Sequence, residues 1–147
     1  MKNLNTINDI IDFAISREQR SIEFYSRLAE DAPNTELKNV FLVLINEETK
    51  HKELLGKIKR QKNFKINSED LEKLEIATNV FDDNANEDSL SLKDAMLIGI
   101  RRETASYNLY KKLSEASDNE EIKNIFEALS KEEMKHKQRF EKEIENL

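Results

Sequence analysis

The stretch Glu-Glu-Thr-Lys-His at residues 47–51 returns as Glu-Glu-Met-Lys-His at residues 132–136, and the two copies hold both histidines of the chain. In each copy a glutamate precedes the histidine by three residues, so an α-helix places both side chains on one face. Apolar residues continue that face at alternating steps of four and three residues. They are Leu37, Phe41, Leu44, Leu55 and Ile58 around the first copy, and Ile122, Phe126, Leu129 and Phe140 around the second. Each E-x-x-H pair is therefore predicted to lie within the buried stripe of a helix.

Two further stripes of the same spacing each contain a glutamate. The first stripe surrounds Glu18 and the second surrounds Glu103. Their other members are Ile7, Ile11, Ala14, Ser21, Tyr25 and Leu28 in the first, and Leu92, Met96, Gly99, Ser106, Tyr110 and Leu113 in the second. Burying an unpaired carboxylate is costly in free energy or raises its pKa. Inward glutamates and histidines therefore need partners, and a metal cation is a partner that all of them can share.

The chain is internally duplicated. A shift of 85 residues superimposes these stripes, ligand candidates and tyrosines without a gap. Pro33 is predicted to end the first helix, and Asn34 or Thr35 to cap the second. Capping boxes are predicted at Ser91 with Asp94 and at Asp118 with Glu121, opening the third and fourth helices.

These boundaries define a fold. The sequence predicts an all-α, up-down four-helix bundle made of two duplicated helix pairs, at about 6–61 and 89–146. A long central crossover, at about 62–88, would connect the pairs. The whole chain, residues 1–147, is predicted to be a single domain.

Composition excludes several classes of protein. The net charge of −6, with lysines dispersed among acidic residues, argues against nucleic-acid binding. The chain has no cysteine, which excludes disulfides, thiol catalysis and Cys-ligated iron within it. It has no apolar run long enough to cross a bilayer, and its first residues lack the apolar core of a signal peptide. A cytoplasmic protein without membrane contact is expected.

The motifs resemble those of the rubrerythrin branch of the ferritin-like diiron-carboxylate superfamily, over residues of about 7–60 and 90–145. The matching segments are Ala-Ile-Ser-Arg-Glu at 14–18 with Phe24-Tyr25, Ile-Gly-Ile-Arg-Arg-Glu at 98–103 with Tyr110, and the two E-x-x-H pairs. The resemblance implies two iron ions bridged by Glu48 and Glu133, with Glu18, His51, Glu103 and His136 as terminal ligands. Manganese or a mixed pair would accept the same ligands. Tyr25 and Tyr110 would donate hydrogen bonds to the ligand carboxylates, although a role as core aromatics is equally compatible with their positions.

The resemblance also implies a function. Hydrogen peroxide, or dioxygen, would be reduced at the diiron site with electrons from an external donor, either rubredoxin-like or a flavoprotein, because typical rubrerythrins use a Cys-ligated iron domain that this chain cannot form. A homodimer is implied, with exchange of helices between chains as a variant. Ser106 departs from the family pattern, since rubrerythrins have an extra glutamate there.

Two alternatives remain open from the residues themselves. The first is a non-catalytic iron-binding, ferroxidase-like or iron-handling module that uses the same ligands. The second is a structural bundle whose polar stripe only fixes helix register. Arg17 and Arg102, which precede the two ligand glutamates, are expected on a solvated face or in an ion pair with a neighbour.

Overall fold

The computed structural model describes residues 7–61 and 91–147, and these residues form four α-helices. They are α1 (Ile7–Glu30), α2 (Thr35–Arg60), α3 (Leu92–Ala116) and α4 (Glu120–Glu145). The described ranges contain no strand and no helix long and apolar enough to span a bilayer. They divide into two compact units, one of residues 11–61 and one of residues 91–147 with 7–10. The predicted crossover at about 62–88 lies outside the described residues, and the single domain stays a prediction.

In the first unit α1 and α2 form an antiparallel hairpin. Lys52 Nζ donates to Gln19 Oε1 at 2.7 Å, and Lys59 Nζ lies 2.6 Å from Asp12 Oδ1. Moving seven residues back along α1 therefore moves the contact seven residues forward along α2. The short connection between the helices contains Pro33, which cannot continue α1. Its position as the stop signal of the first helix is confirmed.

In the second unit α3 and α4 form an equivalent hairpin. Ser114 Oγ donates to the carbonyl oxygen of Lys123 at 3.0 Å, close to the connection. Further from it, the rings of Tyr110 and Phe126 stack with their centroids 6.4 Å apart. The two duplicated sequences thus fold into two duplicated hairpins, as predicted.

Asparagines 85 residues apart begin the second helix of each hairpin. Asn34 Oδ1 accepts from the Leu37 amide at 2.8 Å, and Asn119 Oδ1 accepts from the Ile122 amide at 3.1 Å. The predicted cap at Ser91 is confirmed, since its hydroxyl accepts from the Asp94 amide. The predicted box at Asp118 is wrong. Asp118 lies in the turn after the α3 C-cap, so the helix begins one residue later than the box required.

The predicted stripes are buried, apart from Ile7 and Leu92 at their starts, which are half-buried. The helices α1 and α3 also bury residues that were not predicted. Each helix has a second buried line with a spacing of seven residues: Ile10, Arg17 and Phe24 in α1, and Ala95, Arg102 and Leu109 in α3. Arg17 is 5% exposed and Arg102 is 8% exposed. The expectation of a solvated face for these arginines is therefore wrong, because a helix with a broad buried face encloses residues beside its central stripe. The ion pair with a neighbour stays a prediction.

Candidate metal centre

The first unit brings together a glutamate from α1 and the E-x-x-H pair from α2. Glu18, Glu48 and His51 are all at most 2% exposed. The Nδ1 atom of His51 lies 3.4 Å from Glu48 Oε1 and 3.7 Å from Glu18 Oε2. One potential ligand atom of each residue lies within 4.8 Å of the others. We call these three residues the first triad.

The second unit repeats this arrangement with Glu103 from α3 and the E-x-x-H pair of α4. Glu103, Glu133 and His136 are at most 3% exposed. His136 Nδ1 lies 3.5 Å from Glu103 Oε2 and 4.0 Å from Glu133 Oε1. We call these residues the second triad. All six residues predicted as ligands are thus buried, and each hairpin by itself assembles three of them.

Burial perturbs the protonation of the first triad. The pKa of Glu18 is raised well above its usual value, firstly by burial and then by the negative charge of Glu48. Burial lowers the pKa of His51, but hydrogen bonds and charges from Glu18 and Glu48 outweigh it and raise the pKa to about 11. Without a metal, the triad therefore retains protons that exposed groups would release at neutral pH.

The donor atoms of both triads fit a divalent metal ion. Carboxylate oxygens and imidazole nitrogens are ligands that iron and manganese accept. Metal–oxygen bonds of roughly 2.1 Å place opposite ligand atoms about 4.2 Å apart, and the potential ligand atoms lie within 4.8 Å of one another. A cation would also balance the buried negative charge that protons otherwise neutralise. The size and chemistry of each triad therefore suit a bound metal.

Other duplicated residues follow the ligand glutamates along α1 and α3. Ser21 and Ser106 lie one turn further on and are buried, as are Tyr25 and Tyr110 two turns further on. Tyr25 packs at a tilt beside Phe24, with ring centroids 5.7 Å apart. These contacts agree with the packing role of the tyrosines, while their predicted hydrogen bonds to ligand carboxylates stay a prediction.

Sequence reasoning missed the burial of Arg17 and Arg102, which directly precede the ligand glutamates. The signal was present in α1, where Ile10 and Phe24 lie seven residues to either side of Arg17. A seven-residue spacing of apolar residues keeps one side of a helix facing a neighbour. Arg17 lies on that line and is enclosed with it.

Comparisons with known proteins identify the family and the fold to which this chain is similar. The sequence model of the family described as Rubrerythrin matches residues 9–144. A crystal structure from Thermotoga maritima, assigned to the ferritin-like diiron-carboxylate proteins, is similar with a TM-score of 0.71 and 22% sequence identity, covering 97% of this chain and 96% of the other. A search among curated proteins found no match. The chain therefore belongs to the rubrerythrin family and has the ferritin-like four-helix fold that its sequence predicted.

Proposed function

We propose that this protein is a diiron oxidoreductase that reduces hydrogen peroxide, or dioxygen, with electrons from an external donor. The observation behind this proposal is the pair of buried triads, each of two carboxylates and one imidazole, in a member of the rubrerythrin family. Glu48 and Glu133 would be shared by the two iron ions. The terminal ligands would be Glu18, His51, Glu103 and His136.

Iron bound by these residues would supply the ferrous and ferric states that peroxide reduction requires. The reaction breaks the O–O bond of peroxide and takes up two electrons and two protons, giving two water molecules. In the first unit, Leu44 and Leu55 lie one turn to either side of the E-x-x-H pair and are buried. Such apolar neighbours exclude bulk water from the ligands, which strengthens the electrostatic interactions within the site.

The proposed role of Tyr25 and Tyr110 is to orient carboxylates or pass protons. A tyrosine hydroxyl has an ordinary pKa near 10 and remains a hydrogen-bond donor at neutral pH. Both tyrosines lie seven residues beyond a ligand glutamate on the same buried stripe. Their duplicated phenol groups are therefore the proposed proton donors.

The electrons would come from another protein in the cytoplasm, either rubredoxin-like or a flavoprotein. The 147 residues contain no cysteine, so they cannot form the Cys-ligated iron centre of typical rubrerythrins. A soluble donor would have to approach the bundle closely enough to transfer electrons to the iron. We propose no role for nucleic acid or membrane.

A second candidate function is iron binding or ferroxidase-like iron handling without repeated peroxide turnover. Ser106 favours the iron-handling function, because Ser106 stands where rubrerythrins have a glutamate in addition to the ligand glutamate of this helix. Ser21 occupies the equivalent place in the first unit, so both triads are followed by the same residue. The two ligand sets are thus alike, and manganese or a mixed metal pair would fit them as well.

The test combines metal analysis with kinetics. Protein purified anaerobically would be loaded with ferrous iron, and bound iron would be counted. Stopped-flow absorbance would then follow its oxidation by hydrogen peroxide and, separately, by dioxygen, and turnover would be measured with an added reductant. Glu133→Gln removes a proposed shared ligand. Glu132→Gln is the matched control, because Glu132 is the adjacent but exposed glutamate.

We expect about two irons per chain, faster oxidation by peroxide than by dioxygen, and sustained turnover. Glu133→Gln should lose iron and activity, while Glu132→Gln should retain both. Stoichiometric iron without sustained turnover would favour the iron-handling function. No stoichiometric metal in the wild-type protein would exclude both functions and leave a structural bundle.

A further inference from the structure

A polar contact joins α1 and α2 directly beside the first triad. Lys52 Nζ donates to Gln19 Oε1 at 2.7 Å, and both side chains are half-buried. Gln19 directly follows Glu18, and Lys52 directly follows His51. The main chain therefore connects each end of this contact to one ligand candidate. The two candidates themselves lie 3.7 Å apart across the same helix interface.

The amide group of Gln19 is held from both sides. Its Nε2 atom donates to Glu23 Oε1 at 3.3 Å, one turn further along α1. An amide has one oxygen that accepts and one nitrogen that donates, so the two contacts fix its orientation toward Lys52. The contact with Lys52 involves a charged donor, which makes it stronger than a hydrogen bond between neutral groups. We call Gln19, Glu23 and Lys52 the polar clamp.

The second unit has different residues at these positions. The counterparts of the polar clamp are Thr104, Asn108 and Lys137. Thr104 Oγ1 donates to the carbonyl oxygen of Ile100 in its own helix at 2.8 Å. Among the described residues of α3 and α4, no hydrogen bond joins Thr104 or Asn108 to Lys137. The duplicated triads thus lie in hairpins that are connected differently at the same level.

The same difference recurs further along the helix interface. Seven residues from the contact of Gln19 with Lys52, Asp12 forms an ion pair with Lys59 at 2.6 Å. The counterparts of this ion pair are Leu97 and Ile144, which cannot form one. At both levels a polar contact between the helices of the first unit is therefore replaced by other residues in the second.

We propose that Gln19 and Lys52 are positioning residues of the first triad, so that this triad releases a divalent metal ion more slowly than the second triad does. The inference rests on the proposed metal site. Ligands must separate before an ion can leave, and contacts that orient the ligands oppose this movement. The polar clamp opposes a shift of α1 against α2 that would part Glu18 from His51. The second triad is then the position at which metal exchanges.

The test measures metal release from the full chain. Protein would be loaded with Co²⁺ under anaerobic conditions, and bound metal would be counted. The visible absorbance of bound Co²⁺ would then be followed in a stopped-flow instrument after mixing with excess EDTA. Lys52→Met keeps the length of the side chain but removes the ammonium donor. Lys50→Met is the matched control, because Lys50 lies on the other side of His51 in the sequence and is exposed.

We expect release in two phases from the wild-type protein. Lys52→Met should accelerate the slow phase about fivefold and leave the fast phase unchanged. Lys50→Met should change neither phase. Lys52→Arg should retain the slow phase, because a guanidinium group can still donate to Gln19 Oε1. Equal acceleration of both phases by Lys52→Met, or no acceleration, would overturn the proposal.

The reciprocal test builds a polar clamp in the second unit. Thr104→Gln combined with Asn108→Glu recreates Gln19 and Glu23 beside Lys137. We expect this double variant to slow the fast phase about fivefold without changing the slow phase. An unchanged fast phase would contradict the inference. Thermal unfolding of the metal-free variants controls for general changes in stability, which would alter both phases.

Failure of this inference can be distinguished from failure of the proposed function. A wild-type protein that binds no metal would overturn both. Two bound ions that leave at a single rate would overturn the role of the polar clamp and leave the proposed metal site intact.

Discussion

A Cβ atom added to Gly99 would lie 3.2 Å from two ring carbons of Phe140. The absence of a side chain on α3 is therefore what admits a fully buried aromatic ring from α4. The equivalent residues of the first unit are Ala14 and Leu55, both buried. The two hairpins thus fill the same position differently. The first unit pairs Ala14 with Leu55, whereas the second pairs the smaller Gly99 with the larger Phe140.

This relationship predicts that Gly99→Ala destabilises the protein despite the better helix propensity of alanine. Propensity favours alanine by about 1 kcal/mol, but overpacking against a buried ring costs roughly 1–3 kcal/mol. Phe140→Leu alone should also destabilise, because it leaves a cavity. The double variant recreates the alanine and leucine of the first unit. Its loss in free energy of unfolding should be about 1 kcal/mol smaller than the sum of the losses of the two single variants. Free energies of unfolding from denaturant titration of metal-free protein would test this, and additive effects would contradict it.

The asparagine caps give a second prediction. Asn34→Ala and Asn119→Ala should each lower the free energy of unfolding by about 1 kcal/mol, because an amide in the first turn loses its acceptor. Asn39→Ala is the control, since Asn39 is exposed within α2 and alanine has the higher helix propensity there. It should be neutral or slightly stabilising. The same denaturant titration applies, and equal losses at positions 34 and 39 would exclude capping as the cause.

A third prediction concerns metal removal. Glu48→Gln deletes a negative charge that raises the pKa of buried Glu18, but this charge also stabilises protonated His51. Because these effects oppose each other, the metal-free variant should be within about 1 kcal/mol of metal-free wild type in its free energy of unfolding. Wild-type protein should gain about 2.7 kcal/mol when free metal is at 100 times its dissociation constant. The variant should lose most of this gain. Thermal unfolding with and without ferrous iron under anaerobic conditions would separate the two effects, and equal stabilisation of both proteins would contradict the role of Glu48.

A fourth prediction tests the serine that follows Glu103. Ser106 is 8% exposed, so Ser106→Glu would place another carboxylate in a buried and already acidic region. The metal-free variant should be less stable than Ser106→Gln, which adds a side chain of similar size without the charge. Bound metal should reduce that difference by balancing the added charge. Comparing the melting temperatures of the two variants with and without metal would check this. A difference that metal does not change would place the new carboxylate away from the ions.

Much of the fold was predictable because two periodic signals agree. The alternating steps of three and four residues specify one face of each helix, and the 85-residue repeat specifies which helices are equivalent. The same signals indicated the triads, because Glu48 and His51 interrupt an otherwise apolar stripe. Each interruption recurs at its duplicated position on an otherwise apolar stripe.

The errors have local causes. Asp118 and Asn119 are both good capping residues, and the choice between them depends on where the turn after α3 ends. The duplication could have decided it, since Asn119 is the counterpart of Asn34. Arg17 and Arg102 were expected on a solvated face or in an ion pair with a neighbour, because each directly precedes a ligand glutamate and so lies off the stripe. Their burial depends on how the helices pack together beside the predicted stripe. The spacing of apolar residues within one helix does not predict this packing.

Each triad is contained within one antiparallel hairpin, so a gene segment that encodes one hairpin encodes three of the six proposed ligands. Duplication of such a gene segment doubles the number of triads without requiring any ligand to arise anew. The outer surfaces of the copies can then diverge separately, as the ion pair of Asp12 with Lys59 and its apolar counterpart Leu97 with Ile144 have done. The buried ligand candidates are identical in the two hairpins, whereas these residues on their outer surfaces differ.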